Sequence, residues 1–296
     1  MISLDADLCN DCLDCVSVCP NYVFAAEGPA SARVRYPDQC CACGHCIAVC
    51  ASDALSHPDL PSEQFEPLPP TTIPAEAMKT LLLSRRSIRR YTSDPVPPEA
   101  IENLLAAATH AGTSSNGQTE GFVIVTDRAF LKRLELQVVD VLWKAGFKYM
   151  GGGELLARVF EAKYGPEIVK QYRTYNGIWR HRREHGDLEG VVFRNAPLLI
   201  VAHALKTNAL GAVNCALALR NIELLAVTMG LGTCWAGFLV GAASKSRTLG
   251  ESMGLPRDRQ IHGAVMVGHP VERYHYTMPR KTRSVRWIGT PGAGTN

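Results

Sequence analysis

Hydrophobic and polar positions follow different patterns in the first 58 residues and in the rest of the chain. In the first part, short runs at 22–24 and 33–36 predict the two strands of a hairpin around Gly28-Pro29. From residue 75 onward, apolar residues at helical spacing alternate with short apolar runs that are typical of buried strands. The predicted helices are 75–83, 98–109, 127–143, 154–164, 166–175 and 214–228, and the predicted strands are 122–125, 196–202 and 265–268.

A proline-rich segment separates the two parts. Six prolines lie between His57 and Pro74, and because proline lacks an N–H and fixes φ, we expect an extended, semi-rigid linker there. The 296-residue length also suits one small and one larger domain. The sequence therefore predicts domains at 1–58 and 76–296 joined by a linker at 59–75, with a chain break at Gly151–Gly153 and an extended tail over 274–287.

Eight of the 11 cysteines fall into two matched runs with the spacing C-x2-C-x2-C-x3-C. This spacing is typical of proteins that hold two [4Fe–4S] clusters, in which the fourth cysteine of each run ligates the cluster of the other run. The predicted ligand sets are Cys9, Cys12, Cys15 and Cys50 for the first cluster, and Cys40, Cys43, Cys46 and Cys19 for the second. We therefore expect a ferredoxin-like N-terminal domain.

Zinc and disulfides are the alternatives for these cysteines. Zinc sites usually show C-x2-C pairs with a long spacer rather than triplets with a trailing fourth cysteine, and a disulfide framework belongs to small secreted chains. Two departures from the usual pattern are visible. Cys41 beside Cys40 could shift the ligand register, and Ala51 follows Cys50 where the first run has Pro20.

Composition narrows the class of protein further. The net charge of +3 is too small to indicate a nucleic-acid partner. The N-terminus lacks the basic and apolar segments of a signal peptide. The uncharged stretch 224–243 is interrupted by glycines, so we expect a helix end and a strand there rather than a membrane span. Reduced clusters and unpaired thiols fit the cytoplasm.

Four short motifs occur along the larger domain. They are Arg-Arg-Ser-Ile-Arg at 85–89, Ser-Ser-Asn-Gly-Gln at 114–118, Gly-Leu-Gly-Thr-Cys-Trp at 230–235, and Val-Gly-His-Pro followed by Pro-Arg-Lys within 267–281. Arginines around a serine are suited to anionic oxygens, although a basic run is also typical of a solvated face. In this order, the motifs resemble those of the FMN-dependent nitroreductase family over about residues 76–296, except in the middle.

The resemblance implies a fold, a cofactor and an assembly. The larger domain would be an α+β sandwich with a central, mostly antiparallel sheet flanked by helices, and two subunits would form a homodimer with FMN at their interface. The residues that match the family's flavin-binding positions are Arg85, Arg86, Ser87, Arg89, Ser115, Asn116, Gln118, Thr233, Cys234, Trp235, Ala236, Gly237, Arg280 and Lys281. The family has Pro-Trp where this chain has Thr119-Glu120, which puts the local ring contacts in question.

Individual roles follow from the same resemblance. Arg89 is the candidate guanidinium beside the N1 and O2 atoms of the flavin, where a fixed positive charge stabilises the reduced form. Cys234 has no general base beside it in the sequence, so we interpret it as structural. No side chain is assigned a catalytic role.

The region 127–190 is the least similar to the family and is interpreted as an insert that forms a substrate lid. Trp179 and the basic residues after it form either a substrate-selecting patch or a solvated helix face. His181 and His185 are one helical turn apart, which would also allow a metal site.

We expect the protein to catalyse an oxidation–reduction reaction. Two [4Fe–4S] clusters would pass single electrons to FMN, which would reduce a small organic acceptor such as a nitroaromatic, a quinone or an activated alkene. Reduced ferredoxin, another redox protein or NAD(P)H could be the donor. NAD(P)H would bind without a Rossmann domain, because no G-x-G-x-x-G motif follows a strand. The alternatives are an adaptor, in which FMN oxidises NAD(P)H and the clusters export electrons, and a redox sensor.

Overall fold

The computed structural model describes residues 1–28, 31–70, 72–144 and 154–289. The turn at Gly28-Pro29 lies only partly within these ranges, and the predicted break at Gly151–Gly153 lies outside them.

The N-terminal part consists of two small sheets and two short helices. Its elements are β1 Ser3–Leu4, α1 Asp14–Val18, β2 Phe24–Ala26, β3 Ala32–Val34, α2 His45–Val49 and β4 Leu55–Ser56. The predicted hairpin is confirmed as the antiparallel pair β2–β3, and β1 pairs with β4. Ile2, Val23, Phe24 and Leu55 form a core with Cys15.

The two cysteine runs are a structural repeat as well as a sequence repeat. Each helix begins one residue before the third cysteine of its run, and each is preceded by a residue in the left-handed region, Leu13 (φ 66°) and Gly44 (φ 75°). Positive φ angles also occur at equivalent places in both runs, namely Asp11 and Ala42 after the first cysteine and Tyr22 and Asp53 after the fourth. The same chain path is therefore built twice around the two predicted clusters.

The larger part contains a four-stranded antiparallel sheet and eight helices in the described residues. The elements are α3 Ala75–Ser84, α4 Pro98–Thr109, β5 Gly121–Val125, α5 Arg128–Lys144, α6 Glu154–Tyr164, α7 Pro166–Glu184, β6 Leu198–Leu205, α8 Gly211–Thr228, β7 Gly232–Trp235, α9 Gly237–Ala243, α10 Thr248–Ser252 and β8 Arg259–Gly268. The strand order is β5-β6-β8-β7 with every pair antiparallel. The predicted α+β sandwich is confirmed.

Strand β6 is buried on both faces of this sheet. Leu198, Ile200 and Ala202 point to the core that includes Leu104 of α4 and Leu219 of α8. Leu199 and Val201 point to the opposite core, which contains residues of α5 and α9. Side chains alternate between the two faces of a strand, so a continuously apolar strand joins two helical layers into one three-layer domain.

Helix α8 is the one described helix that is long and apolar enough to cross a membrane by length and composition. It packs between the sheet and α4 through Cys215, Leu219 and Ile222, all 0% exposed. The uncharged stretch 224–243 is divided among the end of α8, β7 and α9, in agreement with the interruption predicted from its glycines.

A buried carboxylate fixes the segment before β6. Glu135 of α5 is 4% exposed. Its Oε2 accepts a hydrogen bond from the N–H of Gly190 (2.9 Å), and its Oε1 accepts from Val192 (2.7 Å) and Phe193 (3.0 Å). These bonds satisfy backbone donors that would otherwise be buried without partners. Residues 189–195 therefore form a succession of turns leading into β6.

The region interpreted as an insert contributes to the core. Leu131, Leu134 and Val138 of α5 belong to the core cluster below the sheet, as the amphipathic pattern predicted. Trp179 of α7 is 2% exposed and its ring lies 5.0 Å from the ring of Phe238 in α9. The interpretation of Trp179 as the exposed tip of a basic patch is thus wrong, because its indole fills a space beside α9. A lid role for the remainder of 127–190 stays a prediction.

The linker is less extended than its prolines suggested. Residues Ser62–Gln64 form a 3₁₀ turn, and His57 bridges to Leu60. A Cβ atom at Gly44 would lie 3.3 Å from Cζ of Phe65, so the ring covers the second cysteine loop. The start of the linker is therefore packed on the N-terminal domain, while the domain boundaries themselves remain predictions.

Replacing Glu135 tests the anchor before β6. We expect Glu135→Leu to lower the free energy of unfolding by about 3 kcal/mol, because three buried N–H groups lose their acceptor. Glu135→Gln keeps one amide oxygen and should cost about half as much. Chemical denaturation followed by circular dichroism measures both.

Lys132→Ala is the matched control on the same helix. Its ammonium pairs at 3.2 Å with Glu189 at the exposed surface, so its loss should change the stability by less than about 0.5 kcal/mol. Equal effects of the two positions would show that Glu135 does not anchor this segment.

Candidate functional site

The first three cysteines of the first run are neighbours in space. Burial, and then the neighbouring thiols of Cys12 and Cys9, raise the pKa of Cys15 above its ordinary value. Cys12 is exposed, whereas Cys15 is buried. Asp11 donates its backbone N–H to Sγ of Cys9 at 3.4 Å. The three predicted ligands are therefore neighbours, two of them in the loop before α1 and the third buried in the first turn of α1.

The second run brings together the cysteines predicted to share a cluster. Burial raises the pKa of Cys46 to about 11, with smaller contributions from Cys43, Cys40 and Cys19. The proximity of Cys19 supports the exchange of fourth ligands between the runs. These four cysteines and Cys41 line one pocket.

Cys50 occupies the place in the second run that Cys19 has in the first. Val23 donates its N–H to Sγ of Cys19 at 3.4 Å, and Ala54 donates to Sγ of Cys50 at the same distance. Burial alone would raise the pKa of Cys50, but the Ser52 hydroxyl and the backbone N–H groups lower it overall. Hydrogen bonds to sulfur are one means by which proteins adjust cluster potentials.

The donor set fits two thiolate-ligated clusters. Both runs offer soft sulfur ligands and backbone N–H groups directed at sulfur. Over the described ranges, no three His, Cys, Asp or Glu side chains form a site for a single metal ion. The ligand assignment of the eight cysteines therefore depends on spacing and on which thiols are neighbours. Cys41 lies against Cys43, so the register at that position stays a prediction.

In the larger domain, the arginine motif runs beside the edge strand β7. Ser87 forms a parallel bridge with Thr233, and Ile88 donates its N–H to the Thr233 carbonyl at 2.9 Å. A Cβ atom at Gly232 would lie 2.5 Å from Cγ1 of Ile88, so this approach requires glycine. Two motifs that are far apart in the sequence are thereby joined at one edge of the sheet.

The arginines of this motif have different surroundings. Arg85 pairs with the buried carboxylate of Glu223 at 3.5 Å, and Glu223 also pairs with Arg220 at 3.4 Å. Arg86 donates to the carbonyl of Leu83 and to that of Tyr276 in the C-terminal tail. Arg85 and Arg86 therefore already have protein partners, and their predicted role in flavin binding stays a prediction.

Arg89 is exposed. It lies near Cys234 at the end of β7 and near Tyr91. Burial raises the pKa of Cys234, while Arg89, Arg194 and a hydrogen bond from Ser87 lower it in part. The same two guanidinium groups lower the pKa of Tyr91, against a larger increase from burial. The structure thus brings Ser87, Arg89 and Cys234, three of the predicted flavin-binding residues, close to Tyr91 and Arg194.

Arg194 was missed by sequence reasoning. It lies in the turn before β6 and has a φ of 56°, and it belongs to none of the four motifs. The Glu135 anchor in the neighbouring turn fixes its position, and no local pattern shows this relation. Cys234 is buried with a raised pKa, which agrees with its interpretation as a structural thiol.

The end of β7 also has a polar atom that could bind a ligand and free space beside it. Oγ1 of Thr233 is buried without a hydrogen-bond partner in the part of the chain that the structure describes. Trp235 is 39% exposed. Nothing lies within 4 Å of a Cβ atom built at Gly237, the first residue of α9 after Ala236. A polar edge with free space beside it suits a flat ligand.

The loop at 114–118 reaches the N-terminal domain. Asn116 donates its Nδ2 to the carbonyl of Ala42 at 2.9 Å, and Gln118 donates its Nε2 to Oδ1 of Asn116 at 2.9 Å. Ser115, Asn116 and Gln118 all have positive φ angles. Such clustered left-handed residues are typical of loops whose shape is set by function.

Thr119 and Glu120, which stand where the family has Pro-Trp, form hydrogen bonds with other parts of the larger domain. Asn208 donates to Oγ1 of Thr119 at 2.8 Å, and Asn214 of α8 donates to Oε1 of Glu120 at 2.6 Å. Arg259 donates to the Thr119 carbonyl. These side chains tie the loop to the sheet and α8. Arg280 and Lys281 are exposed in a tail segment without helix or strand, and their role in flavin binding stays a prediction.

Together, a three-layer α+β domain with a polar sheet edge and a domain with two matched cysteine runs define an oxidoreductase of the iron–sulfur type. Residues 82–269 match the model of the nitroreductase family, and residues 1–51 match that of the 4Fe-4S dicluster domain. The chain belongs to the nitroreductase family, with a 4Fe-4S dicluster domain at its N-terminus.

Individual relatives agree with this assignment. The chain is 26% identical over 202 residues to the "CR(VI) reductase" of Pseudomonas sp. strain G-1, covering 66% of this chain and 68% of that protein. It is 25% identical over 198 residues to the "FMN reductase (NAD(P)H)" of Bacillus subtilis, covering 67% of each chain.

Among solved structures, a nitroreductase with bound FMN from Bacteroides fragilis superposes with a TM-score of 0.52. It is 19% identical and covers 72% of this chain and 98% of that chain. At this identity, the likeness shows the fold alone.

The different surroundings of the arginines predict different effects on stability. Arg85→Ala leaves the carboxylate of Glu223 buried with one partner fewer, and should lower the free energy of unfolding by about 2 kcal/mol. Arg89→Ala removes an exposed side chain and should change it by less than about 0.5 kcal/mol. Thermal and urea denaturation measure both, and a larger loss for Arg89→Ala would contradict this division of the motif.

Proposed function

We propose that this protein is an iron–sulfur flavoprotein that takes electrons in through its cysteine-rich domain and uses them at an FMN site for two-electron reduction of a small organic acceptor. The observation that carries the proposal is the contact between the two halves. Asn116, at a predicted flavin-binding position, is hydrogen-bonded to Ala42, between two predicted cluster ligands. Redox centres held at these places would be neighbours.

Several observations support FMN as the cofactor of the larger domain. The Bacillus subtilis relative is named an FMN reductase, and the Bacteroides fragilis structure contains FMN. In this chain, the end of β7 combines the exposed Arg89 with the hydroxyl of Thr233, which has no hydrogen-bond partner among the described residues. These groups fit the polar edge of a flavin, and the open position at Gly237 leaves room for a ring.

When bound, a flavin supplies the conversion between one-electron and two-electron chemistry, while the protein sets its orientation and electrostatics. Arg89 would place a positive charge at the polar edge of the ring and so stabilise the reduced cofactor. Arg194 would add a second guanidinium to the same region. Buried residues of β7 and β8 behind the site exclude water from one face. No side chain is needed as a proton donor in this proposal.

A homodimer is part of the proposal. Val213 and Leu217 of α8 are 52% and 47% exposed, and Met78, Leu82 and Leu83 expose apolar side chains on α3. The tail beyond Val271 also exposes several large side chains, among them Tyr276, Trp287 and Ile288. Apolar surface of this extent is typical of a surface that a second subunit covers. A flavin at this interface would agree with the family resemblance.

The composition of anaerobically purified protein tests the central claim. We expect about eight iron atoms, about eight sulfides and roughly one FMN per chain. Inductively coupled plasma spectrometry, sulfide assay and the flavin absorbance of the released cofactor measure these quantities. Zinc in place of iron, or a protein without flavin, would end the proposal.

The adaptor is the second candidate function. One observation favours a macromolecular partner at the first cluster, because Cys12 is exposed within a loop that also exposes Asp7 and Asp11. In the adaptor, NAD(P)H reduces the flavin and this loop passes single electrons to another redox protein.

Stopped-flow mixing distinguishes the two functions. We expect reduced ferredoxin to bleach the oxidised protein rapidly and NAD(P)H to bleach it slowly, because in the proposed function electrons enter through the clusters rather than directly at the flavin. Adding a nitroaromatic or quinone acceptor should restore the colour. Rapid bleaching by NAD(P)H, followed by reduction of an added one-electron acceptor protein, would favour the adaptor.

A further inference from the structure

The two cysteine loops have the same backbone path but different surroundings. In the first loop, Asn10, Asp11 and Cys12 are all exposed. In the second, the equivalent residues Cys41, Ala42 and Cys43 are partly covered. Because the internal repeat makes the loops equivalent in local conformation, the difference must come from what packs against the second loop.

One side of the second loop is held by the larger domain. Nδ2 of Asn116 lies 2.9 Å from the carbonyl oxygen of Ala42 and 3.5 Å from that of Cys41. The amide has a defined orientation, since Gln118 donates to Oδ1 of Asn116 and leaves Nδ2 directed at the cysteine loop. This is a donor reaching across 74 positions of sequence to a residue between two predicted cluster ligands.

The linker also packs on the same loop. A Cβ atom at Gly44 would lie 3.3 Å from the ring of Phe65 and 3.6 Å from Cδ1 of Leu60. Asn116 therefore contacts the loop at Cys41 and Ala42, and Phe65 contacts it at Gly44. Such contacts restrict the position of the backbone and lower the local dielectric constant at the thiolates.

We infer that Asn116 is a positioning residue that docks the second cysteine loop against the 114–118 loop of the larger domain, a predicted flavin-binding segment next to β5. The cluster ligated by Cys40, Cys43, Cys46 and Cys19 is then the one nearest the flavin that this loop contacts at the proposed subunit interface, and the exposed first cluster exchanges electrons with external partners. The inference rests on the proposed function and adds the order of the two clusters.

Variants of Asn116 must respect its backbone. Its φ of 52° lies in the left-handed region, where alanine would add strain of its own. Asn116→Asp keeps the backbone preference and the size but replaces the donor with an acceptor. Asn116→Gly keeps the backbone and removes the side chain. The two variants should agree if the lost donor is the cause.

Hydrogen–deuterium exchange on the anaerobic holoprotein provides the main readout. We expect amide exchange over residues 40–46 to rise roughly fivefold in both variants, which corresponds to the loss of one hydrogen bond. Exchange over residues 9–15 should not change, so the first run is an internal control. Asn221→Asp removes a comparable 3.0 Å bond to Ala107 within the larger domain and should leave both loops unchanged.

A redox titration followed by electron paramagnetic resonance provides the second readout. The reduction potential of one cluster should shift in both Asn116 variants while the other stays constant. The shifted signal should be the one that Cys43→Ser alters, and the constant one should be that altered by Cys12→Ser. A merely structural role in folding the larger domain would shift neither potential.

Three outcomes would overturn the inference. They are equal changes of exchange in both loops, no change in either, and loss of flavin from the Asn116 variants with unaltered exchange over residues 40–46. The last would assign Asn116 to flavin binding alone. Failure of the proposed function is distinguishable, because it appears as missing iron or flavin in the unmodified protein.

Discussion

The burial of β6 on both faces is the constraint on which the arrangement of the larger domain depends. Its alternate side chains enter two separate cores, one shared with α4 and α8 and the other with α5 and α9. Neither helical layer could be removed without exposing one face of this strand. The candidate flavin site lies at the edge of the sheet formed by β7, two strands from β6, so its geometry follows from a rigid central element.

The loops that carry the candidate site residues are held against this sheet by a close backbone approach and by hydrogen bonds to side chains. Gly232 permits the arginine motif to approach β7 closely, and Glu135 fixes the turn that holds Arg194. On the opposite side, Thr119 and Glu120 bind side chains from α8 and its preceding loop. Function-related residues therefore lie on loops, and the scaffold determines their positions.

The N-terminal domain depends on a different source of stability from the larger domain. With a small apolar core around Val23 and Phe24, it has little hydrophobic surface to stabilise two loops rich in left-handed residues. Ligation of a cluster by four thiolates adds folding free energy to such a domain. The internal repeat gives both loops the same conformation, and Asn116 of the larger domain and Phe65 of the linker give the second loop different surroundings.

The sequence by itself determined the elements and the chemistry that local patterns encode. Helical and strand periodicity predicted α3, α4, α5, α8, β5 and β6 within a few residues and the last four residues of β8, and the cysteine spacing predicted both cluster loops, because these signals arise between residues close in the chain. The tertiary structure alone decided which side chains meet. Arg85 pairs with Glu223, 138 positions away, Trp179 is buried against Phe238, and Asn116 reaches Ala42. Such contacts depend on how distant elements pack, and no repeat or spacing in the chain records that packing.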